Sequence, residues 1–206
     1  MIPRTLAYCW FGGADKSPLI RRCLESHALC AGYEVVEINE STWDIERYPY
    51  ARDAYRAGKW AFVSDVARMD WLYRCGGITL DADVEILRPL DPFLNQRAFT
   101  SRESSGRLVS ATIAAEASHP WIGEILDYYH TRQFVFDPSS MTNTMIIDEI
   151  NRYHYSHVDE GEGIIYLTDG VAIYSREVFE AKSWSTGRIT VTDATYAVHH
   201  YEGSWL

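Results

Sequence analysis

Two aspartates separated by one residue, Asp81 and Asp83, directly follow the short apolar run 78–80. Such a run is typical of a buried strand, and an extended chain would point both carboxylates to the same side at its carboxyl end. Open α/β sheets bind ligands at this edge. Two carboxylates suit Mg²⁺ or Mn²⁺ better than zinc, which prefers histidine and cysteine. An isolated Asp-x-Asp is more often a solvated turn, so the surrounding residues must decide between the two interpretations.

A second charged pair, Asp65 and Arg68, lies three positions apart in the segment 60–75, whose apolar residues recur at helical spacing. An exposed helical ion pair of this kind contributes little to stability. This helix, however, is apolar on several sides, and a charged pair in it is expected to face a cleft rather than the sealed core. The pair is therefore predicted to bind ligand hydroxyls.

The elements that must position these residues alternate between strands and helices. This order predicts an α/β domain with a mixed central sheet flanked by helices. A chain of 206 residues is long enough for a single domain of this kind. The predicted strands are 5–11, 33–38, 78–80, 84–87, 98–101 and 108–115, the predicted helices are 18–30, 60–75, 119–132 and 140–153, and short strands and loops are expected from 164 to 206.

The composition is that of a folded protein with an acidic surface. Hydrophobic residues make up 47% of the chain, which is enough for a core. There are 19 basic and 29 acidic residues, giving a net charge of −10. This balance argues against nucleic acid or an anionic membrane as the main partner. An anionic ligand would need a metal or a few well-placed cations.

The cysteines and the apolar segments bear on where the protein works. Cys9, Cys23, Cys30 and Cys75 have neither the spacing of a zinc site nor that of a disulfide framework, which favours a reducing cytoplasm. No apolar run approaches the roughly 18 residues of a membrane span, and the first residues do not resemble a secretory signal. The expected location is cytoplasmic, including the inner face of the membrane, with at most peripheral attachment.

Several blocks of the sequence resemble the family 32 glycosyltransferases, which carry a DXD motif and include the capsular-polysaccharide type. The chain is more distantly similar to the glucosyltransferase domains of the large clostridial toxins. The order Ser-Asp-x-x-Arg, Gly-Gly, Asp-x-Asp at this spacing is far more specific than a lone Asp-x-Asp. The resembling blocks are 3–13, 50–60, WAFVSDVAR, GGITLDADVEILRPLD, 114–120 and 196–205.

The resemblance implies a GT-A fold, Rossmann-like, over residues 1–206. Residues 1–95 would bind the nucleotide sugar, and residues 96–206 would form the acceptor side and a C-terminal segment that closes over the donor. The implied enzyme is a retaining hexosyltransferase that uses Mn²⁺ or Mg²⁺ and a nucleotide-diphosphate sugar, with a UDP-sugar expected. The implied acceptor is a glycan or a lipid-linked saccharide in bacterial surface polysaccharide synthesis, and no nucleic acid is expected as a partner.

The same resemblance assigns roles to individual residues. Asp83 would be a direct metal ligand, and Asp81 would contact both ribose and metal. Asp65 and Arg68 would hold the donor sugar, with Arg68 also counted among the catalytic residues. Trp10 would stack on the base, the structural alternative being a core tryptophan.

Roles near the C-terminus follow in the same way. His199 and His200 would point to opposite faces of a strand, so only one could join the metal, and His200 is slightly favoured. Ser204 and Trp205 would contact the diphosphate through their O–H and N–H groups. Asn143 would lie on the reacting face of the sugar as a further catalytic residue, unless it serves as the N-cap of a helix.

Three positions depart from the residues usual in the family, and two other functions remain open. Ala7 replaces histidine, Thr79 replaces tyrosine and Ser110 replaces asparagine, which leaves the donor's identity and full activity undecided.

The first alternative function is that of a phosphatase. Such an enzyme could use the first aspartate of Asp-x-Asp as a nucleophile, although Glu85 stands where such enzymes carry threonine or valine. A non-catalytic relative that binds sugar nucleotide or glycan is the second alternative.

Overall fold

The computed structural model describes residues 1–103, 105–136, 143–161 and 163–202. The helices are α1 (Pro18–Ser26), α2 (Pro49–Arg56), α3 (Trp60–Cys75), α4 (Pro120–Thr131), α5 (Asn143–His154) and α6 (Arg176–Phe179). The strands are β1 (Thr5–Cys9), β2 (Glu34–Ile38), β3 (Gly77–Leu80), β4 (Val84–Ile86), β5 (Ala98–Ser101), β6 (Thr112–Ala115), β7 (His157–Gly161), β8 (Ile164–Leu167), β9 (Val171–Tyr174) and β10 (Ala197–His199).

Eight strands form one mixed sheet in the order β2-β1-β3-β6-β5-β9-β8-β7, and β10 pairs with β4 in a second, two-stranded sheet. β1 is parallel to β2 and β3, and β5 is parallel to β9, whereas β6 is antiparallel to both β3 and β5. The carboxyl ends of β1, β3, β5 and β9 therefore lie at the same edge. This is the edge at which β3 leads into Asp81, and the predicted mixed α/β class is confirmed.

Alternate residues of the central strands pack into two separate cores. Ala7 and Ile113 belong to a cluster that includes buried residues of α2, α3, α4 and α5. Leu6 and Phe99 belong to a second cluster, which includes residues of β4, α6 and β10. This period-two alternation is what a sheet covered on both faces requires. The small sheet is thereby held against the face opposite the long helices.

The helix α3 has the bounds that its apolar periodicity predicts. Val63, Val66 and Ala67 are fully buried in the larger core. The helix ends at Gly76, whose φ is +69° and where an added Cβ would lie 2.8 Å from the backbone nitrogen of Ala117. Only glycine accepts both this conformation and this close approach. At 16 residues α3 is the longest described helix, and none in the described ranges is long and apolar enough to span a bilayer.

Other boundaries differ from the sequence-based expectations. The predicted helix 18–30 stops at Ser26 and continues only as a single 3₁₀ turn. The predicted strand 108–115 is shortened to β6, and before it Leu108 forms an isolated bridge with Arg102. Helix α2 was not predicted, although Pro49 at its first position is a common helix-start signal. In the helix predicted over 140–153, residues 140–142 lie outside the described residues.

A buried aspartate ties the segment before α2 to α3. Asp70 of α3 is 1% exposed and accepts hydrogen bonds from Trp43 Nε1 at 2.8 Å and from Tyr48 Oη at 2.9 Å. Arg74 and Arg47 lie 2.9 and 3.3 Å from its carboxylate oxygens. These partners replace the water that the carboxylate loses on burial. Asp70 therefore has a structural role.

Candidate active site

The Asp-x-Asp motif lies in a turn rather than in an extended segment. The backbone N–H of Val84 donates to the carbonyl of Asp81 at 3.0 Å, and the N–H of Asp81 donates to the carbonyl of Ala111 at 2.8 Å. The expectation of extended geometry is therefore wrong. The turn nevertheless brings the carboxylates of Asp81 and Asp83 together, and the Asp83 side chain is only 14% exposed.

The pairing of β10 with β4 brings a histidine to the two aspartates. His199 stands opposite Val84 in the antiparallel register. Its Nε2 lies 3.4 Å from Asp83 Oδ1 and 3.8 Å from Asp81 Oδ2. One ligand atom from each of the three residues lies within 4.8 Å of the others. Two carboxylates and one imidazole that face one position form a donor set that suits Mn²⁺ or Mg²⁺.

The neighbouring histidine faces away from this cluster. His200 Nε2 lies 2.7 Å from Glu85 Oε2, and Arg22 Nη2 lies 3.2 Å from the same oxygen. Successive residues of a strand point to opposite faces, so only one histidine can meet the aspartates. The preference for His200 as the metal ligand is corrected here, because it is His199 that faces Asp81 and Asp83.

A buried glutamate orients the ring of His199. Glu180 is fully buried, and its Oε2 lies 3.1 Å from His199 Nδ1. Tyr201 donates its hydroxyl to the same oxygen at 2.8 Å. When a carboxylate accepts a hydrogen bond from Nδ1, the other ring nitrogen, Nε2, is free to face a cation. Metal-binding histidines usually have such a carboxylate or carbonyl partner on the nitrogen that does not bind the metal. Glu180 is not among the predicted site residues, because nothing in the local sequence distinguishes it from a surface glutamate.

The charges within this cluster are strongly coupled. Burial alone would lower the pKa of His199, but Glu180 and Asp83 together raise it well above its ordinary value. Burial raises the pKa of Asp83, yet His199 and the N–H of Glu202 outweigh it and bring that pKa to about 2. Without a metal, Glu180 and Asp83 therefore favour the protonated form of His199. A divalent cation would compete with that proton for Nε2.

Arg68 connects α3 to the Asp-x-Asp motif. Its Nη1 lies 2.6 Å from Asp81 Oδ1 and donates to the carbonyl of Ser110 at 2.6 Å. Its Nη2 donates to Asp65 Oδ1 at 3.0 Å. The expectation that the pair faces a cleft is only partly met, because Arg68 is 1% exposed while the Asp65 side chain is 18% exposed. Arg68 is therefore buried among its partners, and its guanidinium joins the carboxylates of Asp65 and Asp81.

Asn143, at the start of α5, lies in the same group of buried polar residues. It is 3% exposed, and its Oδ1 accepts the hydroxyl of Tyr129 at 2.8 Å. Burial and the charge of Asp81 raise the pKa of Asp65, while Arg68 and the nearby amide of Asn143 lower it, with a net value of about 6. The structure thus brings Asn143 and Asp65 together, although the two are far apart in the sequence.

Trp10 lies at the same sheet edge, directly after β1. Its ring is partly exposed, its Nε1 donates to the carbonyl of Ala14 at 2.8 Å, and Lys16 Nζ lies 5.3 Å from the ring centroid. It is not one of the buried core residues, so the core alternative is not met. Ser204 and Trp205, predicted to contact the diphosphate, lie outside the described residues.

The three departures from the resembling family lie behind the site. Ala7 and Thr79 are register partners on β1 and β3, and both are fully buried. Thr79 donates its hydroxyl to the carbonyl of Ile113 at 3.4 Å. Ser110 supports Arg68 through its carbonyl. None of the three belongs to the cluster of Asp81, Asp83 and His199.

Comparison with known proteins associates this region with sugar transfer. Residues 15–100 match the family described as the glycosyltransferase sugar-binding region containing the DXD motif. The inositol phosphoceramide mannosyltransferase 3 of Schizosaccharomyces pombe (strain 972 / ATCC 24843) is 27% identical over 150 residues, which cover 68% of this chain. The chain spans only 36% of the length of that relative.

One solved structure supports the fold. The PaToxG glycosyltransferase superposes with a TM-score of 0.55 at 16% identity, covering 74% of this chain and 69% of that one. A glycosyltransferase involved in glycosylation of the major capsid of PBCV-1 gives 0.49 at 12% identity, covering 96% and 93%. The expected GT-A fold is confirmed by the first of these. Residues 15–100 are therefore similar to a sugar-binding region with a DXD motif, and the fold is one that a solved glycosyltransferase shares.

Replacement of Arg68 by alanine should be strongly destabilising. It would leave Asp65 and Asp81 without their shared cation, which is expected to lower the free energy of unfolding by about 3–5 kcal/mol. Arg56→Ala is the matched control, since Arg56 pairs with Glu46 at the surface and its loss should cost less than about 1 kcal/mol. Urea denaturation measures both. Equal losses in the two variants would contradict the buried role of Arg68.

The two adjacent histidines should differ in their effect on metal binding. His199→Ala should weaken Mn²⁺ binding at least about tenfold, because it removes one of three converging ligand atoms. His200→Ala should leave the affinity nearly unchanged, since His200 faces Glu85. Titration of Mn²⁺, with free ion followed by its paramagnetic resonance signal, compares them. A larger loss in His200→Ala would reject the assignment of His199.

Proposed function

We propose that this chain is a metal-dependent, retaining glycosyltransferase that moves a hexose from a nucleotide-diphosphate sugar to a glycan or lipid-linked acceptor. The observation that carries the proposal is the convergence of Asp81, Asp83 and His199 within 4.8 Å, at the sheet edge where α/β folds bind ligands. The match of residues 15–100 to a sugar-binding region with a DXD motif supports the same chemistry.

The acidic charge of the chain explains why a cation is needed. A protein with a net charge of −10 repels a nucleotide diphosphate unless positive charge is placed locally. A divalent metal, when bound, neutralises the diphosphate as the bond to the sugar breaks. Asp81, Asp83 and His199 would hold it, and Glu180 keeps the imidazole in the required orientation.

The residues around the cluster are proposed to bind and position the donor. Asp65 retains an exposed part of its carboxylate, which would accept hydrogen bonds from sugar hydroxyls. Arg68 holds Asp65 and Asp81 at a fixed separation. Asn143 would lie beside the donor sugar, and Trp10 would stack on the base. Ser204 and Trp205 remain the proposed contacts of the diphosphate.

Retention of anomeric configuration is part of the proposal. The bond between the anomeric carbon and the donor phosphate oxygen breaks, and a bond from that carbon to the acceptor oxygen forms. The acceptor proton must go to a base. Asp65, Asp81 and Asp83 are each engaged with Arg68 or His199, so the departing diphosphate is the proposed proton acceptor.

The donor and setting are proposed from the relatives. A curated relative is named a mannosyltransferase, so mannose is included among the hexoses to be tried beside UDP-sugars. The resemblance to capsular-polysaccharide enzymes favours surface polysaccharide synthesis at the cytoplasmic side of a membrane. The choice of donor sugar and of biosynthetic setting does not affect the proposed arrangement of the metal site.

Asp83→Ala should abolish Mn²⁺-dependent transfer, with a fall in turnover of at least about a hundredfold. Asp193→Ala is the control, because Asp193 is an aspartate at the surface. Release of nucleotide from a panel of UDP- and GDP-sugars measures turnover, and proton NMR of the product reports its anomeric configuration. Full activity in Asp83→Ala would reject the metal site, and an inverted product would reject retention. Donor binding by the unmodified protein without any turnover would favour the non-catalytic alternative.

A further inference from the structure

Residues 181–190 form a hairpin that the proposed reaction does not use. Ser183 N–H donates to the carbonyl of Arg188 at 2.8 Å, and Thr190 N–H donates to the carbonyl of Ala181 at 3.0 Å. Gly187, near the tip, has a φ of +68°. These contacts give the hairpin a defined backbone, so its side chains alternate between two faces.

One face of the hairpin and the start of α6 line an open pocket of about 370 Å³. Two arginines and three hydroxyl-bearing residues are among its lining residues. This is the donor set that proteins use for phosphate, because guanidinium groups supply paired N–H donors and hydroxyls add single ones. The lining residues are Arg176, Ser183, Thr186, Arg188 and Thr190.

The two arginines of this pocket are not neutralised by carboxylates. Among the described residues neither Arg176 nor Arg188 forms an ion pair, although acidic residues outnumber basic ones by 29 to 19. Glu177, the acidic residue next to Arg176, is exposed and accepts from the hydroxyl of Ser175 at 3.4 Å. A pocket with unpaired positive charge on an acidic protein selects for an anion.

The pocket includes Arg176, which follows β9 at the sheet edge where β3 leads into Asp81 and Asp83. Arg176 follows β9, which runs in the same direction as β3, and the two strands are three positions apart, or about 14 Å. The chain connects the hairpin to the cluster, since Glu180, the residue before the hairpin, contacts His199, and Lys182 of the hairpin donates to the carbonyl of His200, the residue after His199. An anion here would therefore be near the reaction but separate from the metal ligands.

We propose that this pocket binds a phosphate group of the acceptor substrate. The inference rests on the proposed transferase function and specifies the chemistry of its acceptor. A soluble phosphate ester and a lipid headgroup would present the same group. The lipid source is considered because Trp184, Ile189 and Val191, which alternate with the pocket residues, are 63%, 46% and 57% exposed.

The first test is calorimetric titration with inorganic phosphate in the presence of a chelator. The unmodified protein should bind phosphate, and the double variant Arg176→Gln/Arg188→Gln should bind it at least tenfold more weakly. Arg152→Gln, an exposed arginine of α5, is the control and should bind as the unmodified protein does. Thermal unfolding verifies that each variant is folded. No binding by the unmodified protein, or equal binding by the double variant, would overturn the proposal.

A second measurement separates the two sources of phosphate. If the source is a lipid, the unmodified protein should sediment with phosphatidylglycerol vesicles more than with phosphatidylcholine vesicles. This sedimentation should be lost in both Trp184→Ala and the double arginine variant. Phosphate binding without vesicle binding assigns a soluble ester. Nucleotide-sugar binding with Mn²⁺ is measured on the same samples. Phosphate binding through the arginines without any donor binding would reject the transferase function while leaving the phosphate pocket established.

Discussion

The buried guanidinium of Arg68 is the interaction on which the site depends. It holds Asp65 of α3 and Asp81 of the motif at opposite ends of one planar group, and the carbonyl of Ser110 fixes it from the sheet. A buried charge so placed is costly unless every partner is present. The position of Asp81, and with it the geometry of the cation site, therefore follows from the packing of α3 against β3.

The second constraint comes from the far end of the chain. β10 pairs with β4 directly after the motif, so that His199 approaches Asp83 across more than a hundred residues of sequence. Glu180 then fixes the ring from the opposite side. The sheet edge supplies the carboxylates, and the small sheet supplies the imidazole. The same segment carries the hairpin 181–190 with the proposed phosphate pocket.

The features predicted correctly from the sequence depend on neighbouring residues, whereas the features that were missed depend on contacts between distant residues. The bounds of the helix 60–75 follow from apolar periodicity and from the glycine at position 76, both of which are visible in a short window. The face of His199 depends on a strand register between distant segments. The burial of Arg68 depends on two carboxylates that meet only after folding, and Glu180 gains its role through the same tertiary packing. Periodicity contains none of this information.

Calorimetric binding of UDP and GDP, and of their sugar conjugates, is the decisive measurement, made first with Mn²⁺ and then with excess chelator. A cation held by Asp81, Asp83 and His199 should make binding of one nucleotide depend on metal, with affinity lost when the metal is removed. That result would also identify the base. Nucleotide binding that is unchanged by the chelator, or absent under both conditions, would contradict a metal-bridged donor site at this edge of the sheet.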